Sequence, residues 1–240
     1  MALVKVENLE KTYGGRKVVN GLNFEVNSGE IVGLLGPNGA GKTTAFYMTV
    51  GLIRPDKGQV HFLDQDVTKL PMHRRAQMGM GYLAQEPSVF RNLTVEDNIL
   101  SILENHEPVS AIRKERLETL LDELHLKSLR TKKAAHLSGG ERRRLEITRA
   151  LVTNPKFLLL DEPFANIDPI SIHEVKHLIK LLAKKNIGIL ITDHNVRDTL
   201  AICERAYIVN QGEILCAGNP ETILMNPEVR SVYLGEEFNL

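Results

Sequence analysis

The segment Gly36-Pro37-Asn38-Gly39-Ala40-Gly41-Lys42-Thr43 places two glycines, with four residues between them, directly ahead of a lysine and a hydroxyl. Such a turn suits a phosphate group. The glycines let backbone N–H groups converge, the lysine reaches the outer phosphates, and the hydroxyl completes the shell of a magnesium ion. The flanks fit the same chemistry: 31–35 is an apolar, strand-length run, and 44–52 reads as a helix whose N-terminal dipole adds to the anion site. Lys42 is therefore the candidate for the β- and γ-phosphates and Thr43 for Mg²⁺. Gly36, Pro37, Asn38, Gly39, Ala40, Gly41 and Thr44 are the candidate cradle.

A second constellation is Phe157-Leu158-Leu159-Leu160-Asp161-Glu162, an apolar strand that ends in two adjacent acids. Burying a carboxylate is unfavourable unless it is paired or metal-bound, so acids at such a strand end call for a cation or a reaction. Asp161 then holds Mg²⁺ and Glu162 polarises the attacking water. Taken alone, the pair also reads as a helix N-cap cluster; its place downstream of the Lys42 loop favours the first reading. The third constellation is Leu137-Ser138-Gly139-Gly140-Glu141. Two glycines at the head of a helix over 142–152 let a second phosphate group approach the backbone. Ser138 and Glu141 also have capping-box spacing, and both roles can hold together. An acid near an anion site is unfavourable, so Glu141 is expected to point away from it, its charge offset by Arg142, Arg143 and Arg144.

With Lys42 and Asp161 assigned, this pentapeptide resembles the signature motif of the ABC-type ATPases, in which Gln is commoner than Glu at the last position. The resemblance covers essentially the whole chain, and its remaining landmarks occur in family order. It implies that Tyr13, after Lys11-Thr12, stacks on adenine, and that Ser138, Gly139, Gly140 and Glu141 join the nucleotide site. It implies that Gln85 touches Mg²⁺ or water, and that His194 contacts the γ-phosphate. Ala165-Asn166-Ile167-Asp168 matches the loop that crosses to the other subunit, although Asn166 is not the commonest residue there. The implied cofactors are ATP and Mg²⁺. The implied assembly is a head-to-tail homodimer with two ATP molecules between Lys42 of one subunit and Ser138-Gly139-Gly140 of the other.

Among such ATPases the chain is expected to be a transporter subunit that docks on separate integral-membrane permeases. The stretch between Thr43 and Ser138 leaves no room for long coiled-coil arms. Residues 86–95, after Gln85, are expected to line the groove for a permease helix, with Phe90 and Leu93 as apolar anchors and Arg91 as a polar one. The alternative for Phe90 is an ordinary core residue. Leu190-Ile191-Thr192-Asp193-His194-Asn195-Val196 and the tail over 229–238 look like the ATPases of lipopolysaccharide-export systems. Branched-chain amino-acid importer ATPases share much of this, and a soluble ABC ATPase acting on nucleic acid or ribosomes is a further alternative.

These residues need a scaffold. Strand-like runs occur at 2–7, 30–35, 59–63, 79–83, 157–161, 187–192, 206–210 and 213–216. A helix over 113–126 carries Leu117, Leu120, Leu121 and Leu124 on one face. Another should start at Asp168-Pro169 and end in Lys184-Lys185. Interleaved strands and helices predict an α/β fold: a P-loop NTPase core with a parallel-rich sheet, an N-terminal antiparallel β subdomain and an inserted α-helical subdomain. The expected division is 1–84 with 155–217 as the ATP-binding core, 85–154 as the helical subdomain, and 218–240 as a helical tail.

Composition fits a folded, uncharged partner. Thirty Lys and Arg balance thirty Asp and Glu in 240 residues, so no global field favours nucleic acid or an anionic membrane. The apolar runs fall well short of the roughly 20 residues a membrane-spanning helix needs. The N-terminus lacks a leader pattern, and Cys203 and Cys216 lack metal-type spacing. The expected location is the cytoplasm, peripheral on the cytoplasmic face of the inner membrane, with two ordinary thiols.

Overall fold

The computed structural model describes residues 2–235 and Phe238. The chain opens with a hairpin of β1 (Val4–Tyr13) and β2 (Arg16–Val26). Then come β3 (Ile31–Leu35), α1 (Lys42–Val50), β4 (Lys57–Phe62), β5 (Gln65–Asp66), α2 (Met72–Gln77) and β6 (Met80–Leu83). A helical stretch follows: α3 (Val95–His106), α4 (Ser110–Glu123) and α5 (Gly139–Leu151). The chain returns through β7 (Phe157–Asp161), α6 (Pro169–Lys184), β8 (Gly188–Thr192), α7 (Val196–Leu200), β9 (Arg205–Asn210) and β10 (Glu213–Gly218), and ends in α8 (Pro220–Met225) and short turns.

Two sheets result. One is antiparallel, in the order β2-β1-β4-β5; the other has six strands in the order β10-β9-β3-β8-β7-β6. Within the second, β9, β3, β8, β7 and β6 run parallel and only the β9–β10 hairpin is antiparallel. This is the α/β architecture expected. Strand period sorts the core: Leu158 and Leu160 of β7 face α3, α4, α5 and α6, whereas Phe157 and Leu159 face α1 and the antiparallel sheet. Residues buried on both faces explain why β3, β7 and β8 read as unbroken apolar runs.

Several expected boundaries move. β1 continues to Tyr13, and β2 and β5 went unread as strands. The buried residues of β2 are Val19, Leu22, Phe24 and Val26, and irregular pairing with β1 near Leu9 and Lys11 breaks the period-two pattern. Helix α4 starts three residues before the expected 113 and stops at Glu123, because His125 takes a left-handed conformation at φ 53°. Helix α5 starts at Gly139 because Ser138 is already its cap. Helix α6 follows expectation: Asp168 accepts the Ser171 N–H at 3.0 Å and Pro169 fills the first turn. The tail is helical only in short pieces, and its expected residues 236, 237, 239 and 240 lie outside the described ones.

Candidate active site

Parallel strands deliver distant segments to one sheet edge. Leu35 of β3 runs into Gly36; Asp161 of β7 pairs with Thr192 of β8, two residues before His194; Leu83 of β6 pairs with Leu160, and Gln85 follows. Gly36 has φ 143°, and a Cβ there would lie 2.0 Å from the Val209 carbonyl oxygen, so β9 beside it dictates glycine. The turn borders a cleft of 570 Å³ lined by all of residues 36–44, Val18, Glu162, Thr192, Asp193, His194, Val232 and Tyr233. The Lys42 ammonium donates to the carbonyls of Gly36 at 2.7 Å and Pro37 at 2.9 Å. Burial lowers its pKa, with the Glu162 charge opposing. A phosphate entering the cleft offers this cation anionic oxygens in place of neutral carbonyls.

Glu162 is the meeting point. Its backbone has φ 46°, a left-handed conformation that costs a non-glycine residue about 1–3 kcal/mol, held by an N–H donated to the Thr192 carbonyl at 2.7 Å. Its Oε2 accepts from Gln85 Nε2 at 2.8 Å and lies 3.3 Å from His194 Nδ1. Three residues singled out separately in the sequence thus share one carboxylate oxygen. Asp161, buried beside them, has its pKa pushed up to about 6, first by burial and then by the Glu162 charge, while a hydrogen bond from Tyr82 and the Arg143 charge oppose. A divalent cation would relieve that penalty, and hydroxyl, amide and carboxylate oxygens from Thr43, Gln85 and Asp161 suit Mg²⁺. Among the described residues, no three His, Cys, Asp or Glu side chains form a ready metal cluster.

Asp193 was passed over in the sequence. Fully buried, it accepts the N–H of Phe164 at 2.9 Å and of Asn195 at 2.7 Å, and lies 3.6 Å from His194 Nδ1. It thereby fixes the turn after Glu162 to the turn that carries His194, and burial raises its pKa. The readable signal was an acid directly after an apolar strand, the pattern that singled out Asp161.

Other candidates do not line this cleft. Tyr13 sits at the tip of the β1–β2 hairpin, 48% exposed, with the Lys11 ammonium 5.5 Å from its ring centre. Ser138, Gly139, Gly140 and Glu141 form the N-terminus of α5. Ser138 Oγ accepts the Glu141 N–H at 3.2 Å and Glu141 Oε2 accepts the Ser138 N–H at 2.8 Å, a complete capping box. The expected offset of Glu141 by the arginine run is incorrect: Lys132 pairs with it at 3.1 Å. Arg143 instead pairs with Glu146, Arg144 with Glu174, and Arg142 donates to the Leu137 carbonyl. Gly140 has a reason of its own within the fold, since a Cβ there would lie 2.3 Å from Ser171 Oγ of α6. Phe90 is not a core residue: it is 52% exposed, with the Arg149 guanidinium 4.9 Å from its ring centre and Arg91 and Leu93 exposed nearby. Cys203 is buried, which pushes its thiol pKa up, and Cys216 is half-buried.

A family model described as ABC transporter matches residues 19–165. The lipopolysaccharide export system ATP-binding protein LptB of Acidithiobacillus ferridurans is 57% identical over 239 residues, 99% of each chain. The protein of the same name from Escherichia coli K12 is 54% identical over 241 residues, covering all of both chains. Among solved structures, the ADP conformation of MJ1267, an ATP-binding cassette of an ABC transporter, aligns with TM-score 0.88 at 31% identity, over 98% of this chain and 100% of that one. Among the described residues, no helix is long and apolar enough to cross a membrane.

Proposed function

Because the chain belongs to the ABC transporter ATP-binding family, we propose that it is the ATP-hydrolysing motor of a lipopolysaccharide export system, acting on separate permease subunits in the inner membrane. The observation that carries the hydrolytic part is the convergence of Gln85 and His194 on Glu162 beside the Lys42 turn. Residues 36–44 hold the ATP phosphates, and Lys42 exchanges its two carbonyl partners for the β- and γ-phosphates. Glu162 takes the proton of the attacking water, Gln85 positions that water, and His194 contacts the γ-phosphate. Thr43, Asp161 and Gln85 would hold Mg²⁺, which when bound would supply positive charge to the phosphate oxygens. Tyr13 stacks on the adenine.

A second copy completes the site. The capped start of α5, with Ser138, Gly139 and Gly140, does not border the chain's own Lys42 cleft, so a head-to-tail homodimer brings each to the other's γ-phosphate. Residues 1–84 and 155–217 act as the ATP-binding core, 85–154 as the helical subdomain that presents Ser138, and 218–240 as a tail that supports the dimer. Half-exposed Phe90, with Arg91 and Leu93, receives a permease helix, which places the protein on the cytoplasmic face of the inner membrane.

The test is tagged Glu162→Gln protein, used with ATP to capture partners from detergent-solubilised native membranes. Its hydrolysis should fall by about 10²–10⁴-fold, since an amide cannot take the water's proton. It should also form an ATP-dependent dimer that brings down lipopolysaccharide-export permeases. Recovery of amino-acid importer subunits would overturn the cargo, recovery of ribosomes alone would overturn the transporter role, and undiminished hydrolysis would overturn the base.

A further inference from the structure

Helix α6 carries His173-Glu174-Val175-Lys176-His177, two histidines four residues apart, a spacing that sets both imidazoles on one face a turn apart. Both are exposed, and both border a groove of 370 Å³ that His125, two residues past the end of α4, also lines. Among the described residues, none of these three imidazoles has a hydrogen-bond or ion-pair partner. The groove shares no residue with the Lys42 cleft. Leu124 and Leu178, both buried, are among its apolar lining.

The geometry points to a chelating site for a divalent transition metal, Zn²⁺, Ni²⁺ or Cu²⁺, on His173 and His177, with water completing the coordination. Imidazole nitrogens suit these ions, whereas Mg²⁺ prefers an octahedron of oxygens and does not compete. Two histidines at this spacing with a glutamate between them also form the metal-binding half of hydrolytic zinc sites, where the glutamate is the general base. Here Glu174 is ion-paired with Arg144 of α5, and among the described residues no third ligand stands ready, so the pair binds metal without building a hydrolytic centre. An ion held across one turn of α6 fastens that helix, and therefore stabilises the folded state.

The experiment is calorimetric titration of the metal-stripped full-length protein with ZnCl₂ and NiCl₂ in excess MgCl₂, alongside thermal unfolding with and without Zn²⁺. One ion should bind per chain and raise the melting temperature. His173→Ala and His177→Ala should each weaken binding by about tenfold or more, and the double variant should abolish both binding and the thermal shift. Both side chains are exposed, so the metal-free variants should unfold at the wild-type temperature, which separates lost ligands from lost fold. His194→Ala should bind as wild type does. Undiminished binding by the double variant, or binding lost in His194→Ala, would overturn the site.

Discussion

Arg143 offers a direct test of how the helical stretch is tied to the active-site edge. Almost wholly buried, it donates from Nη1 to the Ala84 carbonyl at 3.1 Å and Glu146 Oε2 at 2.9 Å, and from Nη2 to the Asp161 carbonyl at 3.1 Å. One guanidinium thus joins α5 to the residue before Gln85 and to the backbone of Asp161. Arg143→Met keeps the volume but removes the charge. It takes the ion-pair partner from Glu146, itself buried, and leaves it the Ser88 N–H at 3.2 Å and the more distant charge of Arg149. A lost hydrogen bond to a charged group is worth ~1.5–3 kcal/mol, but a buried ion left unpaired costs ~3–5 kcal/mol, so the second figure sets the expectation. Arg143→Met/Glu146→Met removes the stranded charge and should recover at least ~2 kcal/mol of that loss, although two carbonyls still lack their donor. Urea unfolding followed by circular dichroism, with matched slopes, measures both. A single variant that loses less than ~1 kcal/mol, or a double variant no more stable than the single, would refute the argument.

Three further outcomes follow from the site. Lys42→Ala should weaken ATP binding or abolish turnover, read by nucleotide titration and phosphate release, because the phosphates lose the cation now held by Gly36 and Pro37. Asp161→Asn should abolish Mg²⁺-dependent hydrolysis yet stabilise the metal-free protein near neutral pH. The folded carboxyl titrates at about 6, above its ordinary 3.8, so the charge is unfavourable to folding above that pH. Melting temperatures of the two proteins should converge as pH falls from about 6 towards 4, and a constant gap would count against the shift. Phe90→Ala should leave the isolated protein's melting temperature and ATPase near wild type, because the ring is half exposed, and should lose permease co-purification. A core-sized loss of stability would contradict its placement.

The phosphate turn, the Asp161-Glu162 strand end and the Ser138 and Asp168 caps were legible because each depends on residues a few positions apart. What depended on partners far along the chain was not. Lys132 could not be chosen over Arg142, Arg143 and Arg144 as the partner of Glu141 without knowing how the turn before α5 folds back. Gly140 read as room for a ligand, and only the approach of Ser171 shows a packing demand. β2 was hidden by irregular pairing with β1, which shifts its buried residues out of strict alternation. Arg75 gave no signal, yet it is fully buried and donates to the carbonyls of Met48, Thr49, Leu70 and Thr68, closing the end of α1 with a cation. Its pKa falls to about 10 through burial. The meeting of Gln85 and His194 on Glu162 required the strand order itself.

That meeting belongs to a cleft that holds several of its groups in disfavoured states. Asp161 is a buried acid whose pKa has risen, Lys42 a half-buried cation whose pKa has fallen, and Glu162 a non-glycine residue in the left-handed region. Asp193, beneath them, is a further buried acid made tolerable by two backbone N–H groups. Neither the acid at Asp161 nor the cation at Lys42 is explained by folding alone, since an amide or an apolar chain there would avoid the burial of charge. On the proposed reading, a metal-bound triphosphate would reverse the terms together, bringing a cation to Asp161 and anionic oxygens to Lys42. Binding would then return the stability that these groups withhold, and so couple occupancy to the sheet edge that carries them.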